Sequence, residues 1–306
     1  MQLVTLSIQL EQYRNYLTYE RNYSPQTINH YLRTLRRLDA FLTEINSHQS
    51  PPVKQIRSLH IRRFLADTSQ RGAKPSTLLH YIKELSAFFN YLISQGRIEK
   101  SPTQHIRKPK LPDRAPEYLT VDEMTRLFAA VDLDEKWGLR DLCILQALYY
   151  CGLRNGELTA LKRSDIHDDF SYLHVQSGKG GKDRLIPLHH HLQETLRAYV
   201  RRYDVSRPDQ PLFPSRYHKQ QRLHRETLNQ LVKRYAALAG IEKDVLRTHT
   251  FRHTFATHLY QYGVNLNTIS ELLGHSGLDK VIVYTHAKAD HLKEAMVRWE
   301  AATSDG

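Results

Sequence analysis

The chain has 306 residues, of which 40% are hydrophobic and 25% charged, as expected of a soluble globular protein with room for two domains. No apolar run approaches the ~20 residues of a membrane span, and the N-terminus lacks signal-peptide features, so neither an integral membrane protein nor a secreted one is expected. The net charge of +12 is concentrated in residues 1–110, where 17 Lys and Arg accompany seven Asp and Glu, which favours a polyanionic partner, although a solvated basic surface would give the same totals.

The first third of the chain predicts a bundle of four helices. Ser24 and Pro25 are suited to the N-cap and first position of a helix whose apolar residues recur at three- and four-residue steps from Leu32 to Leu42. The pattern returns from Leu79 to Leu92, in a helix expected to end near Gly96. Two further helices are expected at about 5–21 and 58–70.

Basic residues on the outer faces of this bundle are candidate phosphate contacts, although some of them are expected to be merely solvated. The candidates are Arg33, Arg36, Arg37, Arg62, Arg63, Lys74 and Lys83.

A proline-rich linker separates this bundle from a second, mostly helical domain. Residues 1–108 form the predicted first domain, 109–117 the linker and 118–306 the second domain. The segment TVDE at 120–123 has capping-box spacing, and an apolar helix is expected at 137–151. Alternating residues on both sides of a glycine-rich turn, in FSYLHVQSGKGGKDRLIPL, predict a β-hairpin. Further helices are expected at 190–203, 225–239, 249–262 and 266–274.

The two cysteines, Cys143 and Cys151, lie in or beside the apolar helix. This placement favours reduced core thiols over a disulfide framework, and with it a cytoplasmic protein.

The segment CGLRNGEL places Arg154 directly after the apolar helix, with Glu157 three residues on. A partly desolvated guanidinium favours a nearby anion. A simple Arg–Glu pair on one helix face is the alternative.

The predicted hairpin tip, SGKGGKDR, offers Lys179 and Lys182 on a glycine-rich loop that could bring an ammonium group to a phosphate. An ordinary basic turn is the alternative. The spacing of a phosphate-binding P-loop is absent, so no nucleotide cofactor is expected.

The segment HTFRHTFATHL places His249 and Arg252 on one helix face, where both could contact one anion. His249 and His253 have the spacing of a zinc-binding pair. Nearby residues offer no clear third ligand, so no metal site is expected.

The segment LLGHSGLDKVIVYTH contains His275 and, nine residues later, Tyr284 in a short apolar run. By itself Tyr284 is typical of a packed core aromatic.

Together and in this order, GLRNGEL, GKGGKDRLIPL, HTFRHTFATHL and LLGHSGLDKVIVYTH resemble the motifs of the tyrosine site-specific recombinases of the phage-integrase and Xer type. The resemblance covers nearly the whole chain. It implies a mainly α fold with a small β-hairpin, in which a helical, SAM-like core-binding domain and an α+β catalytic domain form a C-shaped clamp on DNA. It also implies a cytoplasmic, nucleoid-associated enzyme.

The resemblance implies Tyr284 as the nucleophile, with Arg154 and Arg252 as the arginines that hold the phosphate. It implies Lys179 as the acid for the leaving 5′ oxygen, with Lys182 as a competing candidate. His249 and His275 occupy the two remaining positions of the catalytic set, and Glu157 an acidic position where a structural role is expected.

The chemistry of these residue types agrees with that set. Two guanidinium groups can hold the oxygens of a pentacoordinate phosphorus without a metal, and His249 can act as base or hydrogen-bond partner for the phenol. The phosphotyrosyl bond stores the energy for rejoining without ATP.

For partners, the resemblance implies double-stranded DNA with a specific recombination site and a tetramer on two duplexes, formed by this chain alone or with a related recombinase. The tetramer would be linked through a C-terminal helix at about 288–301. Simple Xer-like recombination is favoured because no further DNA-binding module precedes the bundle. Resolution of chromosome or plasmid dimers and movement of a mobile element both stay open. The alternatives are a type IB topoisomerase and a catalytically idle architectural DNA-binding protein.

Overall fold

The computed structural model describes residues 5–46, 49–111, 117–176, 183–216, 221–243 and 246–274. The chain divides into two compact units, Met1–Asp113 and Arg114–Gly306, here called the N-terminal and C-terminal units. The fold is mostly helical with one small antiparallel sheet, so the predicted fold class is confirmed. None of the described helices is long and apolar enough to cross a membrane.

The N-terminal unit contains the four predicted helices, α1 (Leu6–Asn15), α2 (Pro25–Ile45), α3 (Ser58–Gln70) and α4 (Pro75–Ser94). The chain continues from α1 into a π-helical turn, Tyr16–Glu20, so the first helix changes its geometry before it ends. The Ser24 hydroxyl accepts the backbone N–H of Thr27 and caps α2 as predicted.

The apolar stripes of α2 and α4 form the core of this unit. Leu35, Leu38, Leu85 and Phe89 are fully buried, and rings from α1 and α4 pack beside them. The opposite face of α2, which carries Arg33, is turned to solvent.

The part of the C-terminal unit that the structure describes contains seven α-helices, a short 3-10 helix (Arg163–Asp165) and the hairpin. The helices are α5 (Val121–Ala129), α6 (Gly138–Tyr150), α7 (Asn155–Ala160), α8 (His190–Tyr203), α9 (Arg225–Leu238), α10 (Thr248–Gln261) and α11 (Leu266–Leu273). The predicted capping box begins α5, because Thr120 and Glu123 each accept the other's backbone N–H.

Helix α6 lies at the centre of this unit and packs against α8 and α10. Its middle residues are fully buried, and both cysteines are free and buried, as the apolar pattern predicts. An amphipathic surface helix would expose one face, whereas α6 is covered on nearly all sides.

The predicted hairpin is formed by β1 (Tyr172–Val175) and β2 (Arg184–Pro187), which pair antiparallel. In β2, Arg184 and Ile186 are buried while Leu185 and Pro187 are exposed. The alternation therefore directs one arginine inward, beside the core. The glycine-rich tip at 177–182 lies outside the described residues.

Candidate active site

The first component of the site forms where α6 ends and α7 begins. Gly152 adopts φ +57°, which reverses the chain, and Arg154 is the N-cap residue of α7. One Glu157 oxygen accepts the Arg154 backbone N–H at 2.8 Å and the other accepts its Nη1 at 2.7 Å. The simple Arg–Glu pair considered as the alternative therefore exists, but it belongs to a larger cluster.

Glu157 also binds a second arginine, from strand β2. Arg184 Nη1 and Nη2 donate to the two Glu157 oxygens at 3.1 and 2.9 Å, and its Nε donates to the carbonyl of Leu272 at 2.8 Å. Both side chains are buried, with 6% of Arg184 and 9% of Glu157 exposed. Burial raises the pKa of Glu157, but hydrogen bonds and charge from Arg184 and Arg154 outweigh it and lower the pKa to about 2.

Arg252, on α10, is the third guanidinium group of the cluster. It donates to the carbonyls of Gly152 and Leu273 at 2.8 and 2.6 Å, and its Nη1 lies 4.0 Å from a Glu157 oxygen. Only 1% of its side chain is exposed, whereas 41% of the Arg154 side chain is. Arg154 is thus the member of the cluster that an incoming anion reaches most readily.

His249 lies near this cluster, one turn before Arg252 on α10. Partial burial and then the charges of Arg252 and Arg154 lower its pKa below 6.5, although the residue stays exposed. Its imidazole is therefore neutral at pH 7 and able to accept a proton. The His253 ring packs edge-on against it at 4.5 Å, and burial, His249 and Arg252 lower the pKa of His253 to about 4.

Among the residues that the structure describes, this cluster holds three guanidinium groups and one carboxylate, so its positive charges outnumber its negative ones. Arg154, Arg184 and Arg252 come from three separate segments, and Glu157 neutralises only one of their charges. Such a surplus of fixed donors stabilises an anion with several oxygens, such as a phosphodiester.

Two glycines allow the segments to approach this closely. A Cβ on Gly152 would lie 2.4 Å from the Phe255 ring, and one on Gly274 would lie 3.0 Å from Arg184 Nη1. Both residues have positive φ, and Gly274 ends α11 in the left-handed conformation. Its carbonyl also faces Arg154 Nη2 at 3.5 Å.

Of the six predicted catalytic residues, the structure describes Arg154, His249 and Arg252 and brings them to one cluster. The other predicted site residues of the C-terminal unit, Lys179, Lys182, His275 and Tyr284, lie outside the described residues. The choice between Lys179 and Lys182 therefore stays open. Within the described parts of the chain, no group of three or more His, Cys, Asp or Glu residues is arranged to hold a metal ion.

The seven basic candidates of the N-terminal unit are all exposed. Arg33, Arg36 and Arg37 on α2 line one shallow depression of about 380 Å³, while Arg62 donates to the backbone carbonyl of His105. Arg37 also donates to the Tyr81 hydroxyl, so part of its hydrogen-bonding capacity is used within the unit. A concentration of three guanidinium groups on one helix face suits a phosphate backbone.

Arg184 and Gly274 belong to the cluster although the motifs did not single them out. A signal for Arg184 was present, because strand alternation places it on the same face as the core residue Ile186. Its partners were hidden, since Glu157 and Leu272 are 27 and 88 residues away in the chain.

The two units of the chain, a four-helix unit followed by a mostly helical unit with the arginine cluster, match two known family models. Residues 117–291 match the Phage integrase family, and residues 10–96 match the phage integrase N-terminal SAM-like domain. The chain belongs to the phage integrase family and is a tyrosine recombinase.

Two tyrosine recombinases are similar in sequence to this chain over most of their own length. The chain is 34% identical to a tyrosine recombinase of Pseudothermotoga lettingae, over 90% of this chain and 93% of the relative. It is 34% identical to the tyrosine recombinase XerD of Proteus mirabilis, over 93% of this chain and 90% of the relative.

Two solved recombinase structures are similar in fold to this chain over most of its length. XerH recombinase in a post-cleavage complex with its difH substrate superposes with a TM-score of 0.73 at 25% identity, over 96% of this chain and 85% of XerH. A lambda integrase tetramer bound to a Holliday junction gives a TM-score of 0.71 at 25% identity, over 90% of this chain and 78% of the integrase.

Proposed function

We propose that this tyrosine recombinase cleaves and rejoins DNA at a specific site through a covalent bond between Tyr284 and a 3′ phosphate, and exchanges strands through a Holliday junction. The observation that carries the proposal is the cluster in which Arg154, Arg184 and Arg252 outnumber Glu157 beside a neutral His249. A scissile phosphodiester would place its negative charge beside these three guanidinium groups.

In the proposed cleavage step, the Tyr284 phenolic oxygen attacks phosphorus and the bond from phosphorus to the 5′ oxygen breaks. The phenolic proton passes to His249, whose lowered pKa keeps it neutral and ready to accept. Lys179, or Lys182 in its place, protonates the leaving 5′ oxygen. The products are a 3′-phosphotyrosyl bond and a free 5′ hydroxyl, and the reverse reaction with another 5′ hydroxyl rejoins the strand.

Arg154 and Arg252 are proposed to stabilise the charge on the nonbridging oxygens, and His275 to donate a further hydrogen bond there. Guanidinium groups can supply the stabilisation that metals give in many nucleases, and the covalent bond retains the energy of the broken one. The proposed mechanism therefore assigns no metal and no ATP.

The proposed substrate is double-stranded DNA in the cytoplasm, contacted by the exposed arginines of α2 and their basic neighbours. Four copies, or copies of this chain with a related recombinase, would act together on two duplexes. Two biological roles are proposed with this chemistry: resolution of chromosome or plasmid dimers, and integration or excision of a mobile element.

The covalent step is tested by trapping. Host genomic fragments retained by the protein define its site, and a duplex of that site with a nick beside the scissile phosphate lets the short 5′ product diffuse away. The wild type is expected to form a complex that survives denaturant, and Tyr284→Phe to form none. Tyr262→Phe is the control because Tyr262 is 75% exposed and has no proposed role. Trapping by Tyr284→Phe would refute the nucleophile.

The assembly is tested separately by truncation after residue 288, which removes the apolar residues Leu292, Met296 and Trp299. We expect the truncated protein to bind one duplex but to lose the tetrameric complex on two, measured by sizing with light scattering. An unchanged tetramer would exclude the predicted C-terminal helix at about 288–301, which lies outside the described residues, as the link between protomers. Relaxation of supercoiled plasmids that lack the site would instead favour a topoisomerase.

A further inference from the structure

Arg184 joins three segments of the candidate active site and occupies no position in the catalytic set that the family resemblance implies. Its Nε binds the carbonyl of Leu272 near the end of α11, and its Nη1 and Nη2 bind both oxygens of Glu157 on α7. Its own strand, β2, follows the hairpin tip that carries Lys179 and Lys182. One rigid guanidinium group therefore fixes the mutual placement of α7, α11 and β2.

The burial of Arg184 argues against direct contact with DNA. Only 6% of its side chain is exposed, and three of its N–H groups are bound to Glu157 and Leu272. Arg154, which shares Glu157 with it, is 41% exposed. The carboxylate thus has one arginine turned to the interior and another turned to solvent.

Gly274, the residue before His275, packs closely against Arg184. A Cβ on Gly274 would lie 3.0 Å from Nη1 and 3.2 Å from Cδ of Arg184, so the glycine backbone packs directly on this side chain. His275 is the next residue in the chain. The Gly274 carbonyl lies 3.5 Å from Arg154 Nη2, so the same turn contacts both arginines.

We propose that Arg184 is a positioning residue, which holds Glu157 so that Arg154 is oriented towards the scissile phosphate and the end of α11 is fixed beside it. This inference rests on the proposed function. The bidentate pair fixes the carboxylate in both position and rotation, and thereby fixes the direction of the two hydrogen bonds that it accepts from Arg154. A displacement of about 1 Å at a catalytic group costs up to roughly 100-fold in rate.

A substrate in which a methylphosphonate replaces the scissile phosphate distinguishes two effects of an Arg184 substitution. One is a misdirected Arg154, and the other is a general loss of protein structure. The methylphosphonate is neutral at phosphorus and needs less guanidinium charge, so a misdirected Arg154 matters less for its cleavage. Loss of overall structure would slow both substrates equally. The readout is the rate of single-turnover strand cleavage on each substrate, with DNA affinity measured in parallel.

Arg184→Gln is expected to cleave the phosphate substrate between about 10-fold and about 100-fold more slowly than wild type. It is expected to cleave the methylphosphonate within about 3-fold of wild type and to bind DNA unchanged, because Arg154 and Arg252 remain. Arg234→Gln is the matched control, since Arg234 also binds both oxygens of one carboxylate, Glu135, at 2.8 and 3.1 Å. It should leave both rates unchanged.

Arg184→Lys keeps the positive charge beside Glu157, and it replaces Arg184→Gln in the comparison of the two substrates if the Gln variant does not fold. An ammonium group lacks the planar fork, so the same preference for the methylphosphonate is expected with a smaller loss. A wild-type rate on the phosphate substrate, or an equal loss on both substrates, would overturn the inference. If instead the wild type fails to cleave, or Tyr284→Phe still forms the covalent complex, the proposed function itself has failed.

Discussion

At the scale of single residues, the site is organised by one buried carboxylate. Glu157 accepts hydrogen bonds from two arginine side chains and one backbone N–H, and this lowers its pKa to about 2. The pKa values of the nearby His249 and His253 are lowered as well, because burial and positive charge disfavour their protonated forms. The same cluster therefore keeps an acid charged and a base neutral at pH 7.

Acidification is expected to destabilise the C-terminal unit through His253. The pKa of His253 is about 4 in the folded protein, against an ordinary 6.5, so the unfolded chain binds more protons between these values. Its contribution is fully present above pH 6.5 and is lost as the pH falls towards 4. We expect His253→Gln to reduce the loss of unfolding free energy between pH 7 and pH 5 by about 1–2 kcal/mol.

Urea unfolding of wild type and variant at both pH values measures this difference. His174→Gln is the control, because the His174 side chain on β1 is 43% exposed and, paired with Leu185, lies on the opposite face of the hairpin from Arg184. A His253→Gln protein whose stability falls with pH as steeply as the wild type would contradict the prediction.

The individual site residues were predictable only in part. Arg154 and Arg252 stand in local motifs, with a glycine, a carboxylate or a histidine at short spacing. Arg184 depends on Glu157 and Leu272, which strand alternation and helix periodicity do not bring near it. Pairing over 27 and 88 residues is a property of tertiary packing, and one sequence carries no local sign of it.

At the scale of elements, most helices were predictable from the sequence, because their capping residues and their apolar stripes indicate the same helix positions. Ser24 and Thr120 cap α2 and α5 as expected, and the stripe of α2 is buried. The π-helical turn at Tyr16–Glu20 was not predicted, because its five-residue step leaves no distinct pattern in so short a run. Packing of the surrounding rings accompanies this change, with Tyr16 against Tyr13 and Tyr91.

The turn that ends α11 is expected to require glycine for two reasons. Gly274→Ala would place a side chain at φ +63° and also bring a methyl group to 3.0 Å from Arg184. Gly240→Ala is a matched control, with φ +64° and Arg126 Nη1 at 3.9 Å from the added methyl group. We expect both variants to lose unfolding free energy, and Gly274→Ala to lose about 1 kcal/mol more.

Chemical denaturation of the two variants measures this excess. Equal losses would show that the backbone conformation alone requires glycine at Gly274, and that its contact with Arg184 contributes nothing to stability.

The arginine face of α2 is expected to contribute nonspecific affinity for DNA. Replacing Arg33 and Arg36 together by Gln should weaken binding and lower the slope of log affinity against log salt by about 2, since each phosphate contact contributes about 0.9. Titrations at several salt concentrations measure that slope. Arg71→Gln is the control, because Arg71 is exposed but pairs with Asp67. An unchanged slope in the double variant would exclude this face as a phosphate contact.

At the scale of the whole molecule, two units with separate cores carry different shares of the charge. Residues 1–110 have 17 basic and seven acidic side chains, whereas the remainder has 27 and 25. The near balance of basic and acidic residues in the remainder hides the concentration of arginines around Glu157, which overall composition does not reveal.

The family and fold class were predictable because several motifs agree in order along the chain. The linker at 109–117 stays a prediction, as do the catalytic roles of all six site residues.

The central claim is that Tyr284 forms the covalent bond to DNA, and peptide mapping of the trapped complex tests it most directly. Digestion with trypsin and nuclease should release the peptide VIVYTHAK, residues 281–288, which contains one tyrosine. Mass spectrometry is expected to find the nucleotide remnant on Tyr284, attached through a 3′ phosphate. A remnant on any other residue, or on a 5′ phosphate, would contradict the account.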